Sequence, residues 1–390
     1  MMPLKAACRV LCLSVLSGAV FTMAGCGTTD TFEQPDPVPD VTETVEFDRV
    51  WSRSVGDGHD GDLLQLAPLY AGDTIYAAAA DGVVLSVNTE DGKTNWEKEL
   101  EDRIFAGPGA DNQHIYVVSR DAELIALSSE DGREQWRAGL PTEVLAAPQS
   151  NGSLVAVQTI DGRLISFDAS NGEQLWQYEA QVPVLTMRTA AAPLVGGDVV
   201  IASFSNGRVV ALDSEAGQPI WQYQAGQPQG RTELERLVDI GGQPLVLESA
   251  IMVAGYQGKL ALIDIRSGRE IWSRPASTYY SPAIGGGNIY LASANGDVIA
   301  LRGSDRRELW VQDNLSWRQV TRPAVSGGYL VVGDYEGYLH VLSAEDGKLV
   351  GQRKFDSDGI RVPVQVLENG SLLVYGNSGE MSVLSLEQDD

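Results

Sequence analysis

Three histidines, three cysteines and 53 acidic side chains are the groups in this 390-residue sequence that could carry catalysis or hold a metal. His59, His114 and His340 stand far apart, with no second His or Cys at the close spacing that metal ligands use, so each reads as a surface or packing residue. Gly285-Gly286-Gly287 precedes Asn288 in a strand-and-turn context, with no helix to receive a phosphate. The carboxylates crowd into turns, where near neighbours arise without any acid/base role. No catalytic residue, no metal ligand and no cofactor site is therefore expected. The balance of 28 basic against 53 acidic residues, a net charge of -25, would repel a phosphate backbone and makes nucleic acid an unsuitable partner.

The thiol with a chemical prospect is Cys26. Lys5 and Arg9 precede an apolar run over residues 10–23, too short to span a bilayer and flanked as an export signal is. The run ends in Met23-Ala24-Gly25-Cys26, which resembles a bacterial lipoprotein signal. That resemblance implies cleavage before Cys26, a diacylglycerol on its thiol and, with Gly27 rather than Asp following, delivery to the periplasmic face of the outer membrane. Residues 1–25 are thus expected to be a signal peptide that takes Cys8 and Cys12 with it, leaving no pair for an internal disulfide. Residues 26–44, with Pro35, Pro37 and Pro39 alternating among acidic residues, are expected to form a flexible, solvated tether.

The rest of the chain repeats. Asp81-Gly82, Asp121-Ala122, Asp161-Gly162, Asn206-Gly207, Gln257-Gly258, Asn295-Gly296, Glu336-Gly337 and Ser378-Gly379 mark the same middle turn in eight units, separated by 38 to 51 residues. The segments between turns are short and rich in β-branched residues, as in Thr74-Ile75-Tyr76-Ala77 and Val83-Val84-Leu85-Ser86-Val87, and predict strands A to D of an antiparallel sheet. A lone sheet cannot bury both faces, so the units must stack in a ring, giving an all-β, eight-bladed β-propeller over residues 45–386 with a tail at 387–390. Trp96, Trp136, Trp176, Trp221, Trp272 and Trp310 recur in strand D as fillers between blades, and Val350 is assigned that place in the seventh unit. The eighth unit stops after strand C, whereas Phe47-Asp48-Arg49-Val50-Trp51 reads as a strand D without predecessors. The N-terminal strand is expected to join the last blade and close the ring.

The strings at residues 211–221 and 166–176 resemble the tryptophan-docking repeat of pyrroloquinoline-quinone (PQQ-like) propellers, a fold many non-enzymes share. Combined with the lipobox, Val184-Leu185-Thr186-Met187-Arg188, Thr232-Glu233-Leu234-Glu235-Arg236-Leu237-Val238-Asp239 and Val332-Gly333-Asp334-Tyr335-Glu336-Gly337-Tyr338-Leu339-His340, they resemble the BamB family of outer-membrane lipoproteins. The resemblance implies a non-enzymatic scaffold of the β-barrel assembly (BAM) machinery, bound to the POTRA domains of BamA and other components, assisting nascent outer-membrane proteins. It also implies that Leu185, Met187, Arg188 and Asp239 contact the partner. A quinone-dependent dehydrogenase and a glycan-binding propeller stay open as alternatives.

Loop length points to the same place. From each strand D Trp to the Pro opening the next blade the spacing is 10 to 13 residues after Trp96, Trp136, Trp272 and Trp310, but 17 after Trp176 and 23 after Trp221. Both long connections must leave on one face and carry apolar side chains next to Arg, as an interface does, unless the Leu residues tuck under their own loops. One expectation rests on the leader alone: Cys26→Ala yields a folded periplasmic protein that fractionates as soluble, checked by membrane fractionation with a lipid label.

Overall fold

The computed structural model describes residues 33–188 and 191–388; the expected leader at 1–25, Cys26 and the last two residues of the expected tail lie outside them. Its 32 strands form eight four-stranded antiparallel sheets, and no helix occurs among the described residues. Blade 1 is typical, with strands A to D at Leu69–Ala71, Thr74–Ala78, Val83–Asn88 and Thr94–Glu99. Strands B and C are buried along both faces, as at Leu124, Ile125, Ala126 and Leu127 in blade 2, because a blade packs against each side of them. Strand D forms the rim and alternates, its Trp inward and its neighbours exposed. Antiparallel order puts all C-to-D turns on one face of the disc and all B-to-C turns and D-to-A links on the other.

Adjacent blades are joined by the indoles. Trp96 Nε1 donates to Ser129 O at 2.9 Å, Trp136 to Ala169 O at 3.0 Å, Trp176 to Ser214 O at 2.8 Å and Trp221 to Ile265 O at 2.9 Å, each acceptor lying in the next blade's C-to-D turn. The ring lies flat on a turn residue that must be small and left-handed: Gly217 has φ +65, and a Cβ there would stand 2.7 Å from Trp176. In blade 6 Arg306 takes the glycine's place at φ 60 and lays its guanidinium over Trp272, 5.7 Å from the ring centre.

Blade 8 is completed by Val45–Ser54, which pairs antiparallel with Glu380–Gln388 from Val45↔Gln388 to Ser54↔Glu380, so the ring closes with strands from both ends of the chain. Its Trp51 donates to Thr89 O at 2.9 Å in blade 1, continuing the series across the seam. The seventh unit differs from expectation. Register places Gly351, not Val350, opposite Val341 where other blades hold Trp. The reason is topological. Strands C and D of blade 8 come from opposite chain ends, so blade 8 has no C-to-D turn for an indole to rest on. The backbone of the closing strand fills that space instead: Thr44 N donates to Val350 O at 2.8 Å, and a Cβ on Gly351 would meet Val45 O at 2.3 Å.

The compact unit begins at Pro35, before the closing strand, and Glu33 and Gln34, the described residues ahead of it, are exposed. Residues 35–44, expected as free tether, have no regular structure but are anchored. Asp36 N donates to Ser316 O at 3.0 Å, and Arg318 Nη1 donates to Asp36 O at 2.7 Å. Arg318 is 1% exposed and also pairs with Asp334 and Glu336, while His340 Nε2 lies 2.9 Å from Asp334. Burial works to raise the Asp334 pKa, but hydrogen bonds from His340, Tyr338 N and Arg318 hold it below its ordinary value.

Three consequences are measurable. Trp51→Ala should cost about 3 to 5 kcal/mol of unfolding free energy in urea melts. Gly351→Ala should displace the closing strand and raise amide hydrogen exchange at Val45 to Arg49 while leaving blade 3 protected. The third concerns His59, buried edge-on to Tyr375 at 5.8 Å. Burial, then the charge of Arg361, lowers its pKa from 6.5 to about 4. The unfolded chain takes up this proton below pH 6.5 and the folded one does not until about 4, so stability is full above 6.5 and falls as pH drops through that window. Wild type should lose about 2 kcal/mol more than His59→Gln between pH 7 and pH 5 in urea titrations.

Candidate functional site

Two links on the D-to-A face are long. The first joins strand D of blade 3, Gln174–Glu179, to strand A of blade 4, Leu194–Val195. The second joins Pro219–Gln224 to Leu245–Leu247 of blade 5. In the first, Val184 and Leu185 are exposed, Met187 is half-buried and Arg188 is exposed. Arg188, at φ 52, swings its Nη2 onto both carboxylate oxygens of Glu143 in the preceding link, at 2.8 and 2.9 Å. A left-handed arginine is held against its backbone preference, here by a charge-assisted contact between two links. Thr142, Ile160, Asp161, Val182, Leu185 and Arg188 border an open groove of about 480 Å³. Chemically it is an apolar shelf with a guanidinium at its rim.

The second link is organised by a reciprocal cap. Glu235 Oε2 accepts from Arg231 N at 2.6 Å, and Glu235 N donates to Thr232 Oγ1 at 3.2 Å, which turns Leu234 outward. Leu237 and Val238 tuck inward, so for these two the alternative that apolar residues lie beneath their own loop is what occurs. Asp239, expected as a contact residue, is 2% exposed in the free chain. Its Oδ1 accepts from Ile240 N at 2.8 Å and its carbonyl from Tyr256 N at 2.7 Å, which pins the link to the B-to-C turn of blade 5. It supports the surface from below, whereas Leu185, Met187 and Arg188 share one exposed link.

Sequence reasoning missed Glu143, Ile160 and Asp161. The Asp161-Gly162 turn was recognised as a hairpin turn, and antiparallel order already sent it to the same face as the long links, so the groove's far wall was within reach. Glu143 carried no signal in a link of ordinary length. Among the described residues no group of three His, Cys, Asp or Glu is arranged to hold a metal.

The family model described as outer membrane protein assembly factor BamB matches residues 80–312 and 303–390. A protein named outer membrane protein assembly factor BamB in Marinobacter adhaerens is 74% identical over 368 residues, 94% of each chain. The crystal structure of BamB from Moraxella catarrhalis superposes with a TM-score of 0.78 at 28% identity, over 87% of this chain and all of that one. A europium-containing methanol dehydrogenase superposes with a TM-score of 0.68 over 85% of each chain at 15% identity, a likeness of fold alone.

Proposed function

The chain belongs to the outer membrane protein assembly factor BamB family, and from that premise we propose that its disc is a non-enzymatic scaffold on which other parts of the assembly machinery are positioned. Membership places the protein in the BAM complex and associates it with the outer membrane. The finer reading is that lipidated Cys26 anchors it on the periplasmic side and that the D-to-A face receives the POTRA domains of BamA. The observation that carries it is the exposed Val184-Leu185 pair beside Arg188, fixed by Glu143 at the edge of an open groove. A rigid ring costs little ordering on binding, and apolar anchors flanked by a guanidinium suit an interface core with an orienting charge. Leu185, Met187 and Arg188 make the contact in this reading, and Asp239 holds the neighbouring link in shape. The anchored segment at Asp36 fits the same orientation, since Ser316 and Arg318 lie in the D-to-A link between blades 6 and 7. Nascent outer-membrane proteins are brought to the assembly site by this arrangement. The quinone-dependent and glycan-binding alternatives draw no support from a likeness of fold alone.

The test is capture of the partner. Leu185→Ala with Arg188→Ala should reduce co-purification of a POTRA fragment by about thirtyfold in affinity, the loss expected for an interface anchor, with melting temperature close to wild type. Asp131→Ala with Asn171→Ala, in C-to-D turns on the opposite face, should leave capture intact. Equal capture by both variants rejects the surface, and unfolding of the first assigns these side chains to packing.

A further inference from the structure

The links entering strand A converge on the axis of the disc and border an open cavity of about 230 Å³. Seven of the eight blades border it, and its wall includes Gln65, Gln243, Tyr280, Ser281, Arg322 and Gln365. Arg322 is anomalous there. In a chain with 53 acidic residues against 28 basic ones, it forms no ion pair among the described residues, and its buried Nε has no hydrogen-bond partner. Burial lowers its pKa with no acidic neighbour to offset the effect. A second cation stands close by. Arg361, in the link entering blade 8, accepts the Tyr280 hydroxyl on its carbonyl at 3.2 Å, and its charge acts on both Tyr280 and His59. It too lacks an ion pair among the described residues.

Three neutral side chains of the wall already donate to backbone carbonyls. Gln243 Nε2 donates to Pro193 O at 3.0 Å, Gln365 Nε2 to Pro68 O at 2.5 Å and Ser281 Oγ to Gln243 O at 2.6 Å. The charged donor of this wall is the Arg322 guanidinium, with no counter-charge among the described residues. Desolvating a fixed cation without a counter-charge is costly, and the guanidinium fork matches an oxyanion. At roughly 30 Å³ per water, the space holds about eight waters, enough for a small anion.

We propose that the axial cavity is a binding site for a small oxyanion, a phosphate or a compact polycarboxylate, held by Arg322 with Arg361 adding charge from the adjacent blade. The site is separate from the groove at Leu185 and does not depend on partner binding. It is tested by calorimetric titration of the purified full-length protein with sodium phosphate and with citrate, at pH 7 and constant ionic strength. Saturable one-to-one binding is expected with one or both, and which anion saturates assigns the class. Arg322→Gln should weaken it at least tenfold, while Arg133→Gln, whose exposed guanidinium pairs with Asp131 on the opposite face, should not. Absence of saturable heat with either anion up to about 10 mM, well past millimolar affinity, overturns the site. Equal affinity in Arg322→Gln does the same. Should that variant fail to fold, Arg361→Gln decides, and undiminished affinity there overturns the proposal.

Discussion

An indole from one sheet resting on the backbone of the next sheet's turn is the contact on which this ring depends. A four-stranded blade leaves two apolar faces and a rim, and only a neighbour can cover them. The Trp supplies both requirements at once: a flat surface that fills the wedge between diverging blades, and an N–H that satisfies a turn carbonyl across the boundary. The turn answers with a left-handed residue lacking a side chain, since a Cβ on Gly217 would intrude on the ring. Sequence spacing, turn conformation and inter-blade packing are therefore one constraint. Where the chain ends interrupt it, between blades 7 and 8, a glycine and the backbone of the closing strand replace the pair.

How much of this could be read from the sequence follows from the range of each interaction. The eight middle turns, the recurring Trp and the surplus strand at residue 47 are local patterns, and together they gave blade number, strand order and the closure at Trp51. Spacing from the preceding turn leaves Val350 and its neighbour hard to tell apart, whereas the register, with a bulge between Val341 and Leu342, selects Gly351. Asp239 counts as a contact only by its place in a motif that the resemblance supplies; the turn capped by Thr232 and Glu235 lies just before it, and Asp239 itself is buried. The Asp36 to Arg318 contact joins positions 282 apart, and the axial cavity draws on seven blades. Neither leaves a mark in any window of the sequence.

Charge is distributed with a purpose the net value conceals. The excess of carboxylates sits in turns and on the rim, where water and short-range backbone N–H donors hold them, as Asp131 and Asp264 show. Arginines occupy the joints: Arg188 ties two links together, Arg306 substitutes for a turn glycine under Trp272, and Arg318 gathers two carboxylates and a carbonyl in a buried cluster. A guanidinium can serve all three because it combines a flat face with several fixed donors.

The path of residues 35–45 gives the disc a mechanical property. Asp36 is pinned on the D-to-A face, whereas Val45 begins its strand near Val350 on the other, so the segment crosses the thickness of the disc before doubling back into blade 8. A pull on the chain ahead of Pro35 meets the Asp36 clasp first, and there the load passes into blades 6 and 7 through Ser316 and Arg318. Without the clasp, the same pull would peel the closing strand from its Val45 end, opening the ring one residue pair at a time. The clasp works as a strain relief does on a cable, keeping tension on the lead away from the joint that holds the ring shut.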